Sequence, residues 1–328
     1  MDALEGFSVP GGDEPGEEPR GGARPDYSRP KPVIFSWTPP QNAVGRVRYA
    51  LLLSLDESFS DPLVITDLTQ PFATVSNLFV GARYYWKVRA EGKRIEPVES
   101  AVWSFQTHPA MPRWVYVPGV TNMRDIGGWE LSDGRRVRQG AVYRSSAIST
   151  RRVQAQTACI LIEELRVRTD LDLRAMREGA RPMLDESLVQ WRHVPVLAYE
   201  SLATDEGLVQ YREALRVFAD PTNYPILCHC RAGADRVGTL VLLLLGLLGV
   251  ELDDLAQDYE LTSLSVWGKR SRHSGAFQAV LGCLKEFGGR PDATINEQIE
   301  GYALHAGLTP QEITRIRDTL LVSADSAS

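Results

Sequence analysis

Cysteine is scarce in this sequence. Four thiols in 328 residues, Cys159, Cys228, Cys230 and Cys283, make no disulfide framework. The paired CxxC spacings of a structural zinc site are missing, so the thiols imply no metal. Basic residues are not in excess. The chain has 36 Lys and Arg against 42 Asp and Glu, for a net charge of −6, so no whole-molecule field favours nucleic acid or an anionic membrane. Long apolar runs are short as well. The uncharged stretch from Val237 to Val250 covers 14 residues. A membrane-spanning helix needs roughly 20, so the stretch reads as a buried helix. The first residues, MDALEGFSVPGGDEPGEEPR, show neither a basic n-region nor an apolar core of a signal peptide.

What is present suffices for two ordinary cores, with 43% hydrophobic residues. Residues 1–31 are rich in Gly, Pro and Glu and are expected to be a disordered leader. From Pro32 the pattern changes to short runs, VIFSWTPP, RYALLLSL, PLVITDL, RYYWKVRA and VWSFQT, separated by turn residues. Such runs predict an all-β sandwich over 32–108. Tyr84, Trp86, Val88 and Ala90 alternate with Tyr85, Lys87 and Arg89, as in a half-buried strand. The buried Trp37 of FSWTPP, the Leu78-to-Tyr84 spacing and the closing VWSFQT are similar to a fibronectin type III domain. That resemblance implies an architecture, with a spacer or docking role, and no activity.

After the linker HPAMPRW, strands in RTDLDLR and YPILCHC alternate with helices expected over 151–166, 207–219, 238–249, 274–287 and 293–305. Thr309, Pro310 and Glu312 start one more helix, in TPQEITRIRDTLL. The alternation predicts an α/β domain over 112–325, a mostly parallel central sheet flanked by helices.

Chemistry concentrates in ILCHCRAGADRVG, residues 226–238. An apolar strand, a loop of small residues and a helix start together form an anion cradle. Backbone N–H groups over Arg231, Ala232, Gly233 and Ala234 point inward, and the helix dipole adds positive character. Arg236 can give two parallel hydrogen bonds to phosphate oxygens. Cys230 then sits in a field that favours the thiolate, the nucleophilic form. His229 is expected to shape the loop. Cys228 would face the same side as Cys230, but no further ligand cluster accompanies the pair.

HCRAGADR resembles the HCxxGxxR signature of the cysteine-based protein tyrosine and dual-specificity phosphatases, and most closely their bacterial branch. TNMRDIGG (121–128), GAVYRSSA (140–147), DLRAMRE (172–178) and DYELTSLS (258–265) resemble further elements of that branch in order, so the resemblance spans Trp114 to Leu321. It implies hydrolysis of phosphotyrosine or other phosphomonoesters through a phosphocysteine, without metal or organic cofactor. The partner would be a phosphorylated protein or a small phosphomonoester. A phosphoinositide or inositol phosphate phosphatase and a weakly active phospho-binding module are the alternatives. Asp172 matches the branch's proposed general acid, and Asp235 inside the loop is the second candidate, ahead of Asp170 and Asp205. Arg124 is either a substrate ligand or, with Asp125 and Arg144, a brace behind the loop. Residues 198–210 are either a lid or a solvated loop and helix start. There are two departures. Ala234 replaces a lysine common in part of the branch, and Val237 stands where Thr or Ser usually assists departure of the cysteine. The thiol chemistry favours the cytoplasm, while a fibronectin-like module in a bacterial chain is often extracytoplasmic.

Overall fold

The computed structural model describes residues 25–40, 46–92, 95–148 and 155–323. The chain forms two compact units, residues 30–116 and residues 117–323 together with 25–29. Most of the expected leader, 1–24, lies outside the described residues. Residues 25–29 depart from that expectation: the Tyr27 N–H donates to the Leu264 carbonyl at 2.8 Å, and Ser28 is buried.

Among the described residues the smaller unit has seven antiparallel strands: β1 (Val33–Ser36), β2 (Val47–Ser54), β3 (Leu63–Leu68), β4 (Phe72–Val75), β5 (Arg83–Gly92), β6 (Ile95–Glu99) and β7 (Trp103–Gln106). One sheet pairs β1 with β4. The other runs β3-β2-β5, and β6 and β7 follow each other along the far edge of β5. Phe35 and Val75 from the first sheet and Leu51, Leu53, Tyr84 and Val88 from the second share one core. Trp37, half-buried rather than buried as expected, packs edge-on against Tyr49 at 5.4 Å. The Tyr84 hydroxyl accepts from the Phe79 N–H at 2.9 Å, tying the strand to the turn before it. Two strands were not expected from the pattern. β4 has only four residues, and β6 carries Pro97, which confines it to an edge.

The larger unit contains β8 (Arg124–Asp125), β9 (Arg135–Val137), β10 (Val142–Ser145), α1 (Ala155–Cys159), β11 (Thr169–Asp172), β12 (Gln190–His193), α2 (Asp205–Phe218), β13 (Ile226–His229), α3 (Asp235–Leu248), α4 (Leu252–Glu260), α5 (Gly275–Lys285), α6 (Ile295–Ala306), α7 (Pro310–Leu320) and β14 (Leu321–Ser323). Its central sheet runs β12-β11-β13-β10-β8. All pairings are parallel except β10 with β8. β13 is central and fully buried, so its carboxyl end opens between two parallel neighbours, the usual place for a ligand in such sheets. Every residue from Val237 to Leu248 in α3 is buried. A helix apolar on all sides must be wrapped, and α2, α4, α6 and α7 pack around it. Gly246 allows the approach of α6, because a Cβ there would fall 2.2 Å from Ile299 Cδ1.

Helix starts follow local capping. α2 begins two residues before the expected 207, since the Thr204 side chain accepts from the Gly207 N–H. Thr294 and Thr309 each form a capping box, with Glu297 and Glu312. α3 begins at Asp235 rather than 238, which places Asp235 and Arg236 in its first turn. Of the helix expected over 151–166, the described part is α1 followed by a π-helical turn over Ile160–Glu164. Among the described residues, no helix is long and apolar enough to cross a membrane.

Candidate active site

Cys230 follows β13 directly and is 2% exposed. The loop after it is held from behind. The Arg231 carbonyl accepts from the Ala147 N–H at 3.1 Å. Asn122 Nδ2 donates to the carbonyls of Ala232 (3.1 Å) and Gly233 (3.2 Å), and Arg144 Nη2 donates to Gly233 O at 2.7 Å and Ala234 O at 3.4 Å. In a trans peptide the N–H opposes the C=O. Four anchored carbonyls therefore turn the N–H groups of residues 232–235 to the opposite side, as an anion cradle requires. Gly233 has φ +66°, and a Cβ there would meet the Ser145 carbonyl at 2.4 Å, so the loop passes β10 only with glycine at this point.

The brace has its own keystone. Arg124 and Arg144 lie opposite each other on β8 and β10, and Cys228 is opposite Arg144 on β13, so all three share one face of the sheet. Asp258 of α4 reaches that face. It accepts from Arg124 Nε at 2.9 Å and from Arg144 Nη1. Arg124 also donates to Asn122 Oδ1 at 2.7 Å and to the Asp258 carbonyl at 2.7 Å. Burial and the neighbouring Arg144 push the Arg124 guanidinium down to about 10, still charged at neutral pH. Burial opposes the charge of Asp258, but the two arginines hold its carboxyl below the usual range. Of the two roles expected for Arg124, substrate ligand or brace, its full burial and its bonds to Asp258 and Asn122 fit the brace. Burial pushes the Cys228 thiol up to about 12, and Cys228 donates to the Tyr143 carbonyl at 3.3 Å, which suits a packing role.

The other face carries His229, Asp170 and Asp172. His229 Nε2 is 2.9 Å from Asp170 Oδ1, and Nδ1 is 3.8 Å from Asp172 Oδ1. Asp172 accepts from Arg174 at Nε (2.9 Å), Nη2 (2.7 Å) and the backbone N–H (3.0 Å). Burial raises the Asp172 carboxyl, but Arg174 and His229 outweigh it and hold it below its ordinary value. A sealed, ionised carboxylate committed to Arg174 does not have the placement of a general acid, which corrects the expectation for Asp172.

Arg236 is fixed by Glu178, with Nη1 at 2.6 Å and Nη2 at 2.8 Å from its two oxygens. Burial opposes its charge, but the Glu178 carboxylate and the Cys230 sulfur raise it well above its usual value. A guanidinium has five N–H donors, so the fork on Glu178 leaves others for an anion. Asp235 accepts from Arg270 at Nε (2.9 Å) and Nη2 (3.2 Å) and from the Tyr199 hydroxyl. Tyr199, in the 198–210 segment, takes a left-handed φ of +61° to do so and opens a short 3-10 turn, Tyr199–Ala203. Asp205 is the first residue of α2. Val237 is buried, and the next hydroxyl on the helix, Thr239, donates to the Asp235 carbonyl at 3.0 Å. Among the described residues, no group of three or more His, Cys, Asp or Glu side chains is placed to hold a metal ion.

A parallel strand, a buried cysteine at its end, a loop braced through its carbonyls and an arginine in the first helical turn make up the site. The family model described as tyrosine phosphatase family matches residues 115–322, more than half of the sequence, and the chain belongs to that family. It is 32% identical over 163 residues to a protein of Cupriavidus necator named as a tyrosine-protein phosphatase, covering 43% of this chain and 59% of that one. It is 31% identical over 121 residues to the triple specificity protein phosphatase PtpB of Mycobacterium tuberculosis, covering 30% and 44%. The chain therefore spans about half the length of these curated relatives. Among solved structures, the core catalytic domain of the PP-IP phosphatase SIW14 from S. cerevisiae, in complex with citrate, matches at 22% identity and a TM-score of 0.29, covering 37% of this chain and 71% of that one.

Proposed function

We propose that the larger unit hydrolyses phosphomonoesters, phosphotyrosine foremost, through a phosphocysteine on Cys230. The observation that carries this reading is the anchoring of four successive loop carbonyls beside Cys230, which turns the N–H groups of residues 232–235 away from the brace. Three equatorial phosphoryl oxygens would be met there by preorganised donors and by Arg236. Cys230 Sγ attacks phosphorus in line, the ester oxygen leaves with a proton, and water then displaces the thiolate. Asp235, though held by Arg270 and Tyr199, is the more accessible of the two candidate carboxyls for proton transfer. Its side chain is 24% exposed at the loop, against 0% for Asp172. A panel of phosphotyrosine and phosphoserine peptides, phosphoinositides and inositol phosphates tests the reading. Phosphate release from none of them would overturn it.

Arg236→Lys keeps the charge but loses the planar fork to both Glu178 and the phosphoryl oxygens. Losing one or two charge-assisted hydrogen bonds predicts a fall in kcat/KM of about 10- to 100-fold. Steady-state kinetics within twofold of wild type would remove Arg236 from the phosphate site.

A weakly active phospho-binding reading is favoured by one observation, the buried Val237 next to a Thr239 hydroxyl already spent on Asp235 O. With no side-chain hydroxyl to stabilise the departing thiolate, phosphoenzyme breakdown limits turnover. A missing bond of about 1.5–3 kcal/mol slows that step roughly tenfold or more. Rapid mixing with an aryl phosphate is expected to give a burst of phenol, and Val237→Thr to shrink the burst and raise the steady rate. No burst and no gain would show that another donor serves.

We also propose that residues 30–116 form a fibronectin type III-like module acting as a spacer or docking unit. The Tyr84 hydroxyl bond to Phe79 N and the shared core of its two sheets support that architecture.

A further inference from the structure

The face of the sheet carrying His229 holds more carboxylate than the reaction uses. Asp170 and Asp172 are two residues apart on β11 and so point the same way, toward the strand that ends in His229. Both are buried. Asp172 is taken by Arg174. Asp170 has no conventional hydrogen bond to either oxygen among the described residues. The basic side chain within ion-pair distance of it is His229, whose Nε2 lies 2.9 Å away. On the strand at the other side of β13, Arg144 is committed to Asp258 and faces away. Beyond β11, His193 Nε2 lies 2.7 Å from the Arg174 carbonyl. The charges around the imidazole thus close as a neutral quartet if His229 is protonated: Asp170 and Asp172 negative, His229 and Arg174 positive. With a neutral imidazole, the buried Asp170 carboxyl would either stand as an uncompensated charge or have to take the proton itself.

We propose that Asp170 is a positioning residue of the site. By pairing with His229 it keeps an imidazolium beneath the loop, so that the residue before Cys230 adds a fixed positive charge to the base of the anion cradle. The proposal rests on Cys230 being the nucleophile. Burial alone would drive the imidazole neutral, but Asp170 and then Asp172 override it and raise His229 above its ordinary value. The second carboxylate is 3.8 Å away and bound to Arg174, so Asp170 supplies the larger part of the hold.

The experiment is run on the full chain and does not depend on substrate identity. Imidazole nitrogen and carbon-bound proton shifts of His229, assigned by its loss in His229→Asn, are followed from pH 5.5 to 9. The wild-type ring is expected to keep its protonated shifts through pH 8. In Asp170→Asn, which preserves shape and removes charge, the ring is expected to be neutral at pH 7. Cys230 alkylation by iodoacetamide at pH 6 is expected to slow at least fivefold and to recover toward the wild-type rate at pH 8.5. A merely structural role would lower the rate at both pH values. A wild-type His229 that titrates at or below 6.5 overturns the proposal even if the variant does not fold. So does an Asp170→Asn protein whose His229 stays charged at pH 7, or whose alkylation at pH 6 is unchanged. Inactivity toward every phosphomonoester, with these titrations as expected, would overturn the hydrolytic reading and leave the Asp170–His229 pair standing.

Discussion

Cys230→Ser is expected to lower turnover of an aryl phosphate by at least about a thousandfold, the scale on which loss of an enzyme's nucleophile acts. A serine hydroxyl is not ionised near neutral pH and is a poor nucleophile without an adjacent base. The replacement is nearly isosteric, and the cradle is built from backbone groups anchored on Asn122, Arg144 and Ala147 through hydrogen bonds that do not use the thiol. The melting temperature is therefore expected to stay close to wild type, and phosphate or an arylphosphate to go on binding. The decisive pair of measurements is steady-state turnover and ligand binding by calorimetry on the same preparation. Residual turnover above a few per cent of wild type would place the nucleophile elsewhere.

Asp258→Asn is expected to act on the fold as strongly as Cys230→Ser acts on the chemistry. Asp258 compensates two guanidinium groups that are fully buried on β8 and β10. Removing the anion leaves like charges facing each other in the interior, and breaking a buried pair in this way costs about 3–5 kcal/mol. For a unit of this size that lowers the melting temperature by on the order of 10 °C. Anion binding is expected to weaken as well, since Arg144 and Asn122 hold the loop carbonyls through this network. The pH dependence carries a definite sign. The Asp258 carboxyl is held below its unfolded value, so its contribution is complete above about pH 4 and is lost as pH falls through the folded value. The variant should lose that part of the acid sensitivity. A calorimetric scan showing a shift under about 2 °C would mean that the arginines find other partners.

The loop was legible because its chemistry is contiguous. HCRAGADR places the thiol, the small residues and the arginine in one stretch, and the apolar run after it announces the buried helix α3. The brace was legible only as fragments. Arg124 and Asp258 are 134 positions apart, and Arg236 and Glu178 are 58 apart. Their motifs were visible, but nothing in local pattern assigns the pairing. Arg270 sits in the basic run KRSRH, for which no role was expected, and it folds onto Asp235 and is buried. Asp172 misled because the end of a strand beside the loop suits an acid equally well as an anchor. The nearby Arg174 decides for the anchor, and adjacency in sequence does not reveal the fork geometry. Tyr199 was reachable only through its left-handed backbone, which no pattern in YESLA signals.

The wrapping of α3 also sets the order in which the unit can be completed during synthesis. Asn296 of α6 donates to the Gly246 and Val250 carbonyls, and Arg317 of α7 donates to the Leu247 carbonyl, so the last turns of α3 receive their partners from helices translated some 50 to 70 positions later. β14, later still, pairs with β9 near the start of the unit. Until those segments clear the ribosomal tunnel, a leucine-rich helix is in place with much of its surface uncovered, and the nascent chain presents a sticky surface to whatever is nearby. The helix that follows the Cys230 loop is thus encoded well before its cover, which leaves apolar surface open to aggregation while the chain grows.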